Sequence, residues 1–137
     1  MQPIPLNPSP QEAYRRQDVL TATPADLIVM LYDALKKNIV LGRRGIAKKS
    51  IESTHKYLIK AQEIVTELVN SLDMNYEISE ELLSIYEFIL TSLEDANLQK
   101  NAEILDPLIE IVDSLRSAWH EISQSNKGSL YLNEGQG

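Results

Sequence analysis

Cysteine is absent from this 137-residue sequence. Disulfides and thiolate metal sites both require cysteine, so neither can form here. A chain of this length can bury a core without such cross-links, and we expect a single domain. The absence also suits a reducing compartment such as the cytosol.

Long apolar runs are missing too. The longest, from Leu27 to Tyr32, is far shorter than the roughly 20 residues that span a bilayer. The N-terminus shows no positively charged stretch followed by an apolar one, which is the pattern of a secretion signal. We therefore expect a cytoplasmic protein with no membrane insertion.

Positive charge is in the minority, and the formal net charge is -7. Nucleic-acid binding needs clustered positive charge to meet the phosphates, so we expect no nucleic-acid partner. The one basic cluster lies between Lys36 and Lys49 on a predicted helix, and it is typical of a solvated face.

Strand signals are also absent, because no alternation of apolar and polar residues persists and no Asn-Gly or Asp-Gly hairpin turn occurs. Apolar residues recur at helical spacing, and short polar joints make consecutive helices antiparallel. The sequence predicts an all-α fold, an antiparallel up-down four-helix bundle with a short N-terminal helical segment. We expect the helices at Thr23 to about Lys48, Ile51 to Leu72, Ile78 to about Gln99 and Pro107 to about Ser123, with a separate turn at Ala102 to Leu105.

Proline supports two of these helix starts. Thr23 can cap the first helix, Pro24 suits its first position, and Asp26 meets the positive end of the helix dipole. Asp106-Pro107 repeats this pattern of cap and proline, since a proline inside the fourth helix would disrupt its hydrogen bonds. Gly42 weakens the first helix, so a break near that residue stays open.

Composition divides the chain into three parts. Residues 1–12 form a proline-rich arm that we expect to be flexible. Residues 13–123 form the helical bundle domain, and the polar residues 124–137 form a C-terminal tail that we also expect to be flexible. A helical piece from Gln11 to Val19 carries Tyr14, a large aromatic that we expect to dock on the bundle or on a partner.

The first and third helices carry more apolar surface than a bundle needs. A core-facing helix needs a stripe a little over ~100° wide, and the third helix covers roughly twice that. One interpretation is crowding by neighbouring helices, and another is a groove for an amphipathic helix of a partner. Both hold if the segment with Tyr14, Val19 and Leu20 covers the groove until a partner displaces it. The third helix contributes Leu82, Leu83, Ile85, Tyr86, Phe88, Ile89, Leu90 and Leu93.

Two aromatic residues of the helices are assigned to the core. Trp119 lies on the apolar stripe of the fourth helix, so we expect it to pack inside the bundle. Tyr86 lies on the central stripe of the third helix, and we expect its hydroxyl at the rim of the core.

Candidate chemistry centres on His55. Glu52 and His55 have the E-x-x-H spacing of di-iron bundles, which need two such motifs. The other histidine, His120, has Ser117 three residues before it, so the second motif is missing. No glycine-rich phosphate loop and no nucleophile beside a recognisable base occurs. We expect no enzyme activity, no cofactor and no metal, and we keep a metal-binding or phosphorelay bundle using His55, or a bundle that dimerises through its third helix, as alternatives.

Several short segments match, in order, the signature of one family. They are Ala13-Tyr14 and Val19 to Pro24 near the N-terminus, Leu27 to Asp33 in the first helix, Lys60 to Leu68 in the second, Ile85 to Phe88 and Asp95 to Leu98 in the third, and Ala118-Trp119 through Ile122 in the fourth. As a set they resemble the flagellin export chaperones, the FliS family. Pro107 and the proline-rich first ten residues depart from the family pattern.

The resemblance implies a bundle that binds the disordered C-terminal region of flagellin in the cytoplasm. It implies that the protein prevents premature polymerisation and assists delivery of flagellin to the flagellar type III export gate. The N-terminal segment would lie over part of the flagellin-binding surface and move on binding. Whether an anti-sigma factor or another flagellar regulator also binds is left open. The expected client-binding residues are Tyr14, Leu27, Leu31 and Tyr32 from the resemblance, Val19 and Leu20 from the covering segment, and Leu83, Phe88 and Leu90 from the apolar surplus.

Overall fold

A computed structural model describes the backbone of residues 24–136 and the side chains of residues 25–125. Within this part of the chain all regular structure is helical, which confirms the predicted all-α bundle. The predicted N-terminal helical segment lies outside the described residues. The elements are α1 (Pro24–Ala47), α2 (Ile51–Asn70), α3 (Glu77–Gln99), a 3-10 turn (Ala102–Ile104) and α4 (Asp106–Gln136).

The two helix starts predicted from proline are confirmed. Helix α1 begins at Pro24 and continues through Gly42 without the break that the glycine left open. Pro107 is the second residue of α4, where its missing N–H is no loss because the first amides of a helix have no partner within it. The separate turn before α4 is also present.

The predicted end of α4 is wrong. The sequence places it near Ser123, whereas the helix continues to Gln136. No proline interrupts residues 124–136, and a helix tolerates an interior glycine at a cost of about 1 kcal/mol. The low apolar content of residues 124–136 weakened the helical periodicity in the sequence, but it does not end a helix. The division into arm, bundle domain and tail, and the flexibility of the tail, stay predictions.

Tight joints reverse the chain between the helices. At the start of α2 the Ser50 hydroxyl accepts a hydrogen bond from the Ser53 N–H at 3.2 Å, a side-chain cap. Lys49 and Lys100, which follow α1 and α3, take the left-handed conformation with φ of 56° and 51°. A residue in the left-handed conformation ends the helix and changes the direction of the chain. The next helix can therefore pack antiparallel to the one before it.

Helix α1 packs on both α2 and α4, and α2 packs on α3. Packing between α3 and α4 is sparse, so the bundle is closed along three sides and loose along the fourth. The fully buried side chains form one apolar stripe per helix. The largest are Tyr32, Leu35 and Ile39 of α1, Leu58, Val65 and Leu68 of α2, Ile89 and Leu93 of α3, Leu105 just before α4 and Leu108 of α4, with Tyr86 and Val112 almost as buried.

Helices α1 and α2 approach closely at Gly42. A Cβ atom at this position would lie 2.8 Å from Leu58 Cγ and closer still to one of the Leu58 methyl groups. Leu58 is fully buried, and a close-packed interior leaves such a side chain little room to shift. Packing, rather than backbone conformation, therefore requires glycine here.

Replacing Gly42 by alanine is expected to lower the free energy of unfolding by about 1–2 kcal/mol. In an open helix the same change adds about 0.4–1 kcal/mol, because it restricts the unfolded chain, but here overpacking outweighs that gain. Urea unfolding followed by circular dichroism measures the difference. The control is Lys37→Ala on the exposed face of α1, which should stay within about 0.5 kcal/mol of wild type. A Gly42→Ala protein as stable as this control would contradict the close approach.

Candidate binding site

An apolar cavity of about 610 Å³ opens at the end of the bundle where α1 begins. This volume lies in the range of protein ligand pockets. The cavity is bounded by α1, α3, α4 and the joint between α2 and α3. Its lining residues are Leu27, Ile28 and Leu31 of α1, Ser71 to Asp73 and Tyr76 of the joint, Ile78, Ser79, Leu82 and Tyr86 of α3, and Trp119 of α4.

Hydrogen bonds hold the joint that forms the rim of the cavity. The Asp73 carboxylate accepts from the Asn75 N–H at 3.0 Å, and the buried Ser79 hydroxyl donates to the Asp73 carbonyl oxygen at 2.6 Å. The fixed joint leaves Tyr76 and Ile78 exposed by 64% and 56%. The rim therefore offers apolar surface to which the bundle itself gives no cover.

Tyr86 forms the floor of the cavity, and Tyr32 lies directly beneath it. The hydroxyls of Tyr32 and Tyr86 lie 2.5 Å apart, and their ring centroids are separated by 6.5 Å. Burial raises the pKa of both hydroxyls, because the charged phenolate would be poorly solvated there. The hydrogen bond between them raises the pKa of Tyr32 further and lowers that of Tyr86.

A polar contact holds α4 beside the first turn of α1. The buried Ser123 hydroxyl donates a hydrogen bond to the Asp26 carboxylate. Trp119 lies one turn earlier on α4, where its half-buried indole lines the cavity. The Ser123–Asp26 contact adds to the packing and ion pairs that join α4 to α1.

The structure brings together only part of the predicted binding set. Leu27 and Leu31 line the cavity, as expected for surface that contacts a ligand. Tyr32 is fully buried beneath it and offers no surface, because its hydroxyl bonds inward to Tyr86.

The remaining predicted residues lie elsewhere. Leu83 and Leu90 are half-buried on α3 and Phe88 is exposed, and none of the three lines the cavity. Their assignment to client binding stays a prediction, because a position outside the cavity does not test it. Tyr14, Val19 and Leu20 lie outside the described residues.

Sequence reasoning missed other lining residues. Trp119, assigned to the core, packs against it but is only half-buried and also lines the cavity. The Tyr86 hydroxyl, expected at a rim, is buried. Leu72, Tyr76 and Ile78 flank a polar joint, where helical periodicity ends and gives no signal. Exposed apolar residues next to a short polar turn could have drawn attention to them.

His55 does not take part in this site. Its Nδ1 atom lies 3.0 Å from the Asn97 side-chain nitrogen on the outer face of α2 and α3. Among the described residues, no three histidine or carboxylate side chains are grouped closely enough to bind a metal ion. Nor does any helix of residues 24–136 combine the length and apolarity needed to cross a bilayer.

The described residues therefore form a helical bundle with an open apolar cavity at one end. The family model described as "Flagellar protein FliS" matches residues 7–126 of the sequence. The chain belongs to the FliS family, which confirms the resemblance drawn from its motifs.

Relatives from three bacteria support this assignment. The flagellar secretion chaperone FliS of Bacillus subtilis (strain 168) is 34% identical over 119 residues, covering 87% of this chain and 90% of that protein. The flagellar secretion chaperone FliS of Vibrio cholerae is 26% identical over 117 residues, covering 81% of this chain and 86% of the relative. The flagellar secretion chaperone FliS of Campylobacter jejuni is 27% identical over 112 residues, covering 80% of this chain and 88% of the relative.

Stability is expected to fall above about pH 10 because of the buried tyrosine pair. Unfolded tyrosine titrates near pH 10, whereas burial raises the pKa of Tyr32 and Tyr86 in the folded protein. The folded state then holds protons that the unfolded state has lost. The stabilising contribution is complete below about pH 10 and declines above it, by up to about 1.4 kcal/mol per pH unit for each tyrosine. Urea unfolding at about pH 9, 10 and 11 measures the slope.

The control for this slope is the double variant Tyr32→Phe/Tyr86→Phe. It keeps every lysine, so the other groups that titrate at high pH still contribute. Its stability should depend less steeply on pH than that of wild type. Equal slopes for the two proteins would show that the tyrosine pair does not control the alkaline loss.

Proposed function

We propose that this protein is a cytoplasmic, non-enzymatic export chaperone for flagellin. It binds the disordered C-terminal region of flagellin, prevents premature polymerisation and assists delivery to the flagellar type III export apparatus. The open apolar cavity with its exposed rim carries this proposal, and the names of the relatives, flagellar secretion chaperones, support it.

The cavity suits one face of an amphipathic helix. Its lining is almost entirely aliphatic or aromatic, and it is open on one side rather than enclosed. A helix that docks in such a groove inserts anchors at i, i+3 or i+4, and i+7, while its polar face stays in water. Segments that are disordered before assembly can fold into such a helix on binding.

Apolar contact supplies the free energy of this binding. Burying apolar surface is worth about 25 cal/mol per Å². Ordering a disordered segment takes back about 2–5 kcal/mol or more of that gain. The net affinity is therefore moderate, which suits a chaperone that must release its client at the export gate.

Residues 1–23 adjoin this site through the chain itself. Helix α1 starts at Pro24, and Leu27, one turn later, already lines the cavity. A segment joined so close to the cavity can cover it at high effective concentration. We propose that Tyr14, Val19 and Leu20 lie over the apolar surface until flagellin displaces them.

The binding mode is tested by co-purification with flagellin, intact and lacking its C-terminal segment. Intact flagellin should be recovered with this protein and the truncated form should not, because the segment that fills the cavity is missing. Equal recovery of both forms would refute the assigned mode.

A matched pair of isoleucines tests the site. Ile78→Asp is expected to weaken binding of the flagellin C-terminal segment by at least about tenfold, because one apolar anchor is worth roughly 1.5–3 kcal/mol. Isothermal titration calorimetry measures the affinity. The control is Ile51→Asp: both isoleucines are exposed, by 56% and 71%, and both lie in the first turn of a helix, but Ile51 is outside the cavity. Equal weakening by the two changes would place the client elsewhere.

A further inference from the structure

The hydroxyls of Tyr32 and Tyr86 carry two protons, but the hydrogen bond between them takes up only one. Each tyrosine hydroxyl carries one proton and can accept hydrogen bonds. The contact of 2.5 Å between Tyr32 and Tyr86 consumes one proton, whichever residue donates it. The second proton needs an acceptor, and within the described residues neither hydroxyl has another hydrogen-bond acceptor.

Geometry assigns the spare proton to Tyr86. Tyr86 lines the cavity, whereas Tyr32 lies beneath it and contributes nothing to its wall. An acceptor for the second proton can come only from an occupant of the cavity, which Tyr86 lines. Tyr32 is therefore the donor within the pair, and Tyr86 is the donor toward the cavity.

We propose that the Tyr86 hydroxyl is a specificity-determining hydrogen-bond donor, which selects client segments that carry one neutral side-chain oxygen within an otherwise apolar face. This inference rests on the proposed function, because the client is the flagellin segment. In the free protein, water entering the open cavity can accept the proton. A client that displaces this water must supply an acceptor, or the buried donor is left without one.

The chemistry of the cavity defines the acceptor. A carboxylate would lose its hydration among the mostly aliphatic side chains of the lining, which also includes the carboxylate of Asp73. Backbone carbonyls of a bound helix are already paired within the helix. Asparagine, glutamine, serine and threonine supply a neutral oxygen, so they are the residues that Tyr86 can select.

The test is a double-mutant cycle between Tyr86 and the client. Tyr86→Phe should raise the Kd for the flagellin C-terminal segment roughly five- to tenfold, the factor expected for one hydrogen bond. Each asparagine, glutamine, serine and threonine of the segment is then replaced by alanine in turn. At one of these positions the client change should weaken binding to wild type by a similar factor and leave binding to Tyr86→Phe unchanged.

Tyr32→Phe is the matched control, because it breaks the same tyrosine pair and leaves the Tyr86 hydroxyl in place. It should lower the melting temperature, yet it should keep the preference for the client that carries the acceptor. A purely structural role for Tyr86 would instead make the two variants behave alike toward every client.

Each outcome decides one of the two proposals. If wild type does not bind the flagellin segment, the proposed function fails and this inference fails with it. If wild type binds and Tyr86→Phe binds equally well, only the inference is overturned. If Tyr86→Phe does not fold, as judged by circular dichroism, the series of client replacements measured on wild type decides. The inference is overturned if none of these replacements weakens binding by about fivefold or more.

Discussion

The hydrogen bond between Tyr32 and Tyr86 divides this bundle into a closed core and an open end. Helices α1 and α3 lie across the bundle from each other with few close backbone approaches, so these two long side chains meet in the interior between them. On one side of the bridge lie fully buried residues such as Leu35 and Ile39. On the other side Leu27 and its neighbours line the cavity. The same aromatic pair therefore completes the core and, through Tyr86, forms the floor of the binding site.

The open end must be stabilised by the closed one. Fully burying an aliphatic side chain is worth roughly 1.5–3 kcal/mol, and the half-exposed residues of the rim forgo much of that gain. Three ion pairs join α1 to α4 at 2.6 to 2.8 Å, but their side chains are about half exposed and each contributes at most about 1 kcal/mol. The buried stripes around Leu58 and Leu108 supply the larger share. The free energy of burial in the core thus stabilises the fold that holds the cavity open, in addition to shaping it.

Much of the fold could be predicted because its signals are local. Proline at Pro24 and Pro107 sets helix starts through chemistry that acts within one turn. The end of α4 was misplaced because residues 124–136 lack apolar periodicity, and a lack of periodicity does not stop a helix. The site was harder, since helical spacing shows which residues share a face but not which neighbour that face meets. Leu27 and Leu31, predicted from their place in an apolar first helix, line the cavity. The exposed part of Trp119 was not foreseen, because only the three-dimensional packing shows its indole at the edge of the core.

Preorganised walls would allow so small a cavity to bind the long, disordered client proposed for it. The hydrogen bonds at Asp73 fix the joint at one wall, and the contact between Ser123 and Asp26 fixes α4 at another. Because these walls are already in place, nearly all the ordering cost of binding falls on the client rather than on the chaperone. Affinity then depends on how well a few anchors fit a fixed cavity, more than on the total area buried. The net charge of -7 complements this arrangement, since mutual repulsion opposes association between copies that expose an apolar rim.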